Sequence, residues 1–205
     1  MTEPLAGHEQ RPYQSATYDL VHTFDGYFGH EPDIQEAGWM MDDLGVKLLT
    51  PFEIEANFAR DPDFADELAA MDRDRAVFHL YDRVLHRMPD EEGFDHYVEA
   101  LNNPREAIDE VLRSEEWARR ALTELYRYLL LRDPDEDGIS AYLDAVKNGD
   151  LASVTQAIRL SEEYYDIARG QIDNRNVPKV MFGDHEMFNP EFVASTFARM
   201  QRYGK

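Results

Sequence analysis

Residues 133–144 carry the spacing of a calcium loop. Asp133, Asp135 and Asp137 alternate ahead of Gly138, and Asp144 stands at position twelve. Carboxylate oxygens at positions one, three, five and twelve are the hard ligands a hard cation requires, and the glycine permits the sharp bend. Three features weigh against the metal. Proline occupies position two, Asp144 reaches less far than the usual glutamate, and the related stretch at 88–99 begins with Met88. A turn that caps a helix needs the same residues without any ion. Capping is therefore the favoured role; no cofactor is expected, and calcium is the one cation the spacing would suit. The seven histidines include His79 and His86 on one helix face, but no zinc spacing and no cysteine accompanies them. Paired acids such as Asp42-Asp43, Glu91-Glu92 and Glu115-Glu116 read as solvated faces or first-turn helix charges. The chain has no nucleophile elbow, phosphate-binding loop or dinucleotide fingerprint, and an enzyme is not expected.

The elements that would position such residues are repeated. Tyr81, Leu85, Pro89, Asp90, Gly93 and Tyr97 recur 45 residues later as Tyr126, Leu130, Pro134, Asp135, Gly138 and Tyr142. Ser114-Glu115-Glu116-Trp117 recurs as Ser161-Glu162-Glu163-Tyr164 after a two-residue insertion. An earlier copy has drifted. Phe24 stands for Tyr81 and Pro32-Asp33 for Pro89-Asp90, while His30 replaces Arg87 and Glu36 replaces Gly93. Asp61-Pro62-Asp63-Phe64 stands for Ser114 to Trp117. Three units follow, at 18–72, 75–119 and 120–168. Duplicated units of this size build scaffolds and binding surfaces.

Each unit reads as two or three helices, so the expected fold is all-α, one packed array of three units. In the third unit Ala121, Leu122, Leu125, Tyr126, Leu129 and Leu130 give one apolar stripe and a helix over 118–131. Proline stops it. The aspartate after proline caps a second helix carrying Ile139, Tyr142, Leu143 and Val146, which ends at Asn148-Gly149. A third helix carries Leu151, Val154, Ala157, Ile158 and Leu160, and Ala107, Ile108, Val111 and Leu112 form its counterpart in the second unit. Serine-capped turns at Ser114 and Ser161 close each unit, with Trp117, Tyr164 and Phe64 expected to pack into the next. No stretch alternates as a strand does.

The motif Tyr-x-x-Leu-Leu-x-Arg-x-Pro-Asp-x-x-Gly, then Ser-x-Glu-aromatic, resembles a widespread family of all-helical repeat domains catalogued as a domain of unknown function. Tyr126, Leu129, Leu130, Arg132, Pro134, Asp135, Gly138, Tyr142, Ser161, Glu162 and Tyr164 carry the fullest match. The helical linker domains of cyanobacterial light-harvesting antennae look distantly similar. The resemblance implies a non-catalytic module, with relatives in bacterial surface proteins and among the virion genes of tailed phages. It brings no catalytic residues.

Residues 1–168 hold 38 acids and 15 bases, whereas 169–205 hold four acids and six bases, giving a formal net charge of −21 for all 205 residues. That excess disfavours nucleic acid and anionic membranes. No apolar run reaches the ~20 residues of a membrane span, and the polar N-terminus lacks the marks of a signal peptide. Location in a virion or inside a cell follows as the expectation. The ends, 1–17 and 169–205, lie outside the repeat. The second is expected to be an extended arm with a short amphipathic helix after Asn189. Val180, Met181, Phe182, Met187, Phe188, Phe192 and Phe197 are its candidate partner-binding residues, which suit other structural proteins or copies of the same chain. The expected function is a structural protein of a multi-subunit assembly, foremost a tailed-phage virion component at the tail, baseplate or head–tail region. The alternative is a bacterial surface or adhesion module responsive to calcium. No small-molecule substrate is expected.

Overall fold

A short polar side chain stands ahead of most helices and takes up the amides that the first turn leaves unpaired. In the computed structural model, which describes residues 17–45, 47, 49–168, 179–182 and 185–188, Asp19 caps α1 (Leu20–Phe28). α2 (Ile34–Gly45) follows Asp33. Thr50 and Glu53 form a reciprocal capping box on α3 (Pro51–Arg60). Asp61 caps α4 (Pro62–Ala70), and Asp72 caps α5 (Arg73–Leu80). α5 loosens into one π-helical turn, Tyr81–Leu85. Asp90 caps α6 (Glu91–Ala100), and α7 (Pro104–Leu112) opens on proline. Ser114 caps α8 (Glu115–Leu130), Asp135 caps α9 (Glu136–Lys147), and Asp150 caps α10 (Leu151–Arg159). Ser161 stands ahead of α11 (Glu162–Ala168), where its hydroxyl accepts from the Tyr164 amide and donates to the Ile158 carbonyl.

The apolar faces of these helices meet in one core that runs from Tyr27 through Leu80, Val111, Trp117 and Leu125 to Ile158. A smaller cluster of Leu20, Phe24, Met40, Leu44 and Ile54 sits beside it under the first unit. The body is all-α, as its periodicity indicates. The expected helix over 118–131 begins three residues earlier, because Ser114 caps it directly and no turn intervenes. Trp117 does not reach forward. Its ring lies 5.6 Å from Phe52 of the first unit, beneath Arg60. On α10 the buried face is Leu151, Val154, Thr155 and Ile158; Ala157 is exposed, and Leu160, at 76 % exposure, lies past the helix end.

A small sheet was not legible from local alternation. β1 (Thr17–Asp19) pairs in parallel with β2 (Lys179–Phe182), and β2 pairs antiparallel with β3 (His185–Phe188). A bulge sits at Val180/Met181. Strands of three or four residues are too short to show a period, and β1 meets its partner from the far end of the chain. β2 runs beside α1.

Candidate functional site

One turn is built three times. The residue that ends each first helix is left-handed: Gly29 (φ 70°), His86 (φ 53°) and Leu131 (φ 56°) hold the same register position. The chain then reverses through proline to the capping aspartate.

In the second and third units an arginine locks this turn. The Arg87 guanidinium lies 5.0 Å above the Tyr81 ring and donates to the Met88 carbonyl at 2.8 Å. Its Nε and Nη2 grip both carboxylate oxygens of Glu116 on α8. Arg132 repeats the arrangement, 5.2 Å above Tyr126, on the Asp133 carbonyl at 3.0 Å, and on Glu163 of α11 at 2.5 and 2.9 Å. A planar fork matches a carboxylate in two bonds and stacks on a ring at once. The two tyrosine hydroxyls sit against Gly93 and Gly138, where a β-carbon would collide with them. Those glycine amides donate to Asp90 and Asp135 at 2.8 and 2.7 Å.

The first unit keeps the frame and changes the contents. Asp33 accepts from Gln35 and Glu36 at 2.8 and 2.9 Å, bonds that hold its carboxyl below the ordinary value, and Glu36 reaches back to the Asp33 amide. Phe24 has no hydroxyl, so a side chain at Glu36 is tolerated where the other copies need glycine. His30 replaces the arginine. Its ring meets Phe24 edge-on at 5.5 Å and stays beside the Glu31 carbonyl at 2.9 Å.

Beside this turn, lined by both Phe24 and His30, is a cleft of about 420 Å³. Its aromatic wall is Phe24, Phe28 and Phe58, with centroids 4.5 to 5.6 Å apart, joined by Trp39 of α2. Its acidic rim is Glu36, Asp43, Asp61, Asp63 and Glu67, and His30 is the basic residue among its lining. Asp63 holds the position of Glu116 and Glu163. Within that rim, burial pushes the Glu67 carboxyl up, and its Oε2 has no partner. His79 lies 3.9 Å away, too far for a hydrogen bond, and burial pushes its pKa down.

A separate polar lock joins the units. Glu55 on α3 accepts from Arg120 of α8 at 3.0 Å and lies 2.9 Å from His86 Nε2. Burial pushes the Glu55 carboxyl up, but the hydrogen bond from His86 and the Arg120 charge outweigh it and hold the carboxyl below its ordinary value.

The calcium candidates do not gather. Asp133 is bound to Arg127 at 2.6 Å, Asp135 is spent on the cap, and Asp137 and Asp144 are exposed on α9. Among the described residues no group of three acids or histidines converges as a metal site. Of the candidate partner-binding residues, Val180, Met181 and Phe182 lie on β2, and Met187 and Phe188 on β3. Phe192 and Phe197, with the expected final helix, lie outside the described residues. The cleft was missed as a site, although its signal was in the sequence: the two departures from the motif, His30 and Glu36, are both in its lining.

Residues 56–121, from α3 into α8, match the family described as Domain of unknown function (DUF4214). The match falls on the second unit and the end of the first, and accords with the resemblance to a domain of unknown function. No curated protein and no solved structure matches the chain. Among the described residues no helix is long and apolar enough to cross a membrane.

Proposed function

We propose that this protein is a non-catalytic interaction component of a multi-subunit assembly, with the helical units as its rigid body and the first unit as an attachment face. The observation that carries the reading is the surface of α2. Ile34 is 94 % exposed, and Trp39, 60 % exposed, lines a cleft walled by three more aromatic rings. An exposed tryptophan on the wall of an aromatic cleft is the kind of surface that marks contact sites. The assembly we assign is a tailed-phage virion, at the tail, baseplate or head–tail region, following the expectation that the repeat's resemblance carries. The partners are other structural proteins or further copies of the chain, and the strongly acidic body suits neither nucleic acid nor an anionic membrane. The hairpin of β2 and β3, which adds to β1, supplies a second attachment element.

Multi-angle light scattering across a concentration series tests this. Assembly of the full chain, lost on paired Ile34→Asp and Trp39→Asp substitution or on deletion of residues 172–205, is the expected result. A lone monomer at every concentration that is indifferent to both changes would contradict the reading.

A further inference from the structure

We propose that the first-unit cleft is a receptor for the guanidinium or alkylammonium side chain of a basic peptide segment on a protein partner, a reading that rests on the interaction role above. The two later copies of the turn show what the position is built to hold. In each, a guanidinium lies over an aromatic ring and bridges to a carboxylate in the first turn of α8 or α11. In the first copy the ring (Phe24) and the carboxylate (Asp63) are kept, while the internal cation is replaced by the shorter His30, which turns to the Glu31 carbonyl. The acceptor half of the contact is thus present with its own donor withdrawn. An aromatic wall with acids around it is the chemistry that captures organic cations. Asp43 is held by Lys47, but Glu36, Asp61, Asp63 and Glu67 still outnumber the one histidine in the lining, so the complement is cationic. A free small cation would leave the exposed Ile34 of α2 uncovered. A peptide that inserts one basic side chain beside Trp39 and lays an apolar flank on Ile34 covers both, which commits the site to a peptide.

Trp39 reports on occupancy, because the other tryptophan, Trp117, is buried in the core. Tryptophan fluorescence of the full chain is titrated with acetyl-arginine amide, with neutral acetyl-citrulline amide, and with a blocked heptapeptide holding one arginine between leucines. The expected result is saturable arginine-amide binding on the order of millimolar, tenfold or more tighter binding of the heptapeptide, and at least tenfold weaker binding of citrulline amide. Asp63→Asn should weaken arginine-amide binding about tenfold, and His30→Arg should abolish it by filling the site from within. Equal affinity for citrulline amide, or undiminished binding by a folded His30→Arg protein, would overturn the proposal; if that variant does not fold, Asp63→Asn decides. Neutralising Arg199, Arg202 and Lys205 should leave affinity unchanged, whereas tighter binding after that change would make the chain's own basic residues the occupant and remove the partner. Loss of arginine binding with self-assembly intact overturns this site alone, and the converse overturns the assembly role alone.

Discussion

At the scale of single residues, tyrosine and glycine are a matched pair. The Tyr81 and Tyr126 hydroxyls occupy the space a β-carbon would need at Gly93 and Gly138. The first unit has released both halves together, as Phe24 and Glu36. Gly93→Ala should therefore destabilise the fold by about 1 kcal/mol despite alanine's better helix propensity. Adding Tyr81→Phe should restore most of that loss, and a double-mutant cycle by chemical denaturation measures the coupling. The sequence shows both residues at constant spacing. It shows no contact between them, because the ring reaches the glycine only after the turn has folded back. For the same reason His30 and Glu36 read as drift, when together they line one cleft.

At the scale of elements, the turns and caps carry the architecture. Asp135 closes the first turn of α9, and Asp133 answers to Arg127. Asp135→Ala should cost about 1 kcal/mol, and thermal melts with and without millimolar calcium should coincide in the native chain. A calcium-dependent rise in melting temperature that Asp135→Ala removes would reinstate the metal. The helices from α6 to α10 were legible because apolar spacing, capping residues and proline stops agree along each stretch. The sheet was not, since β1 and β2 pair across more than 150 residues of chain. Nor was the π-helical turn at Tyr81–Leu85, which no residue type announces. The start of α8 was placed three residues late because a serine cap looks the same before a turn as before a continuing helix.

At the scale of the whole molecule, the first and second units and α8 meet at Glu55, His86 and Arg120. Glu55 is nearly buried, and its carboxyl is held below the ordinary value of 4.5. A depressed carboxyl adds stability above the unfolded value and loses it as pH falls through the folded one. Glu55→Gln should lose about 2 kcal/mol near neutral pH by leaving Arg120 without its counter-charge. Denaturation curves of native and variant protein should converge below pH 4.5, while a gap that stays constant with pH would show that the charge is idle. The same economy of charge explains the three turns, two of which carry their own cation and one of which does not. His30→Arg tests that equivalence most directly, through stability alone. The introduced guanidinium should settle over Phe24 against Asp63 and raise unfolding free energy by about 0.5–1 kcal/mol, a gain that Asp63→Asn erases. No gain, or a gain that survives Asp63→Asn, would contradict the claim that the first turn is an acceptor awaiting its cation.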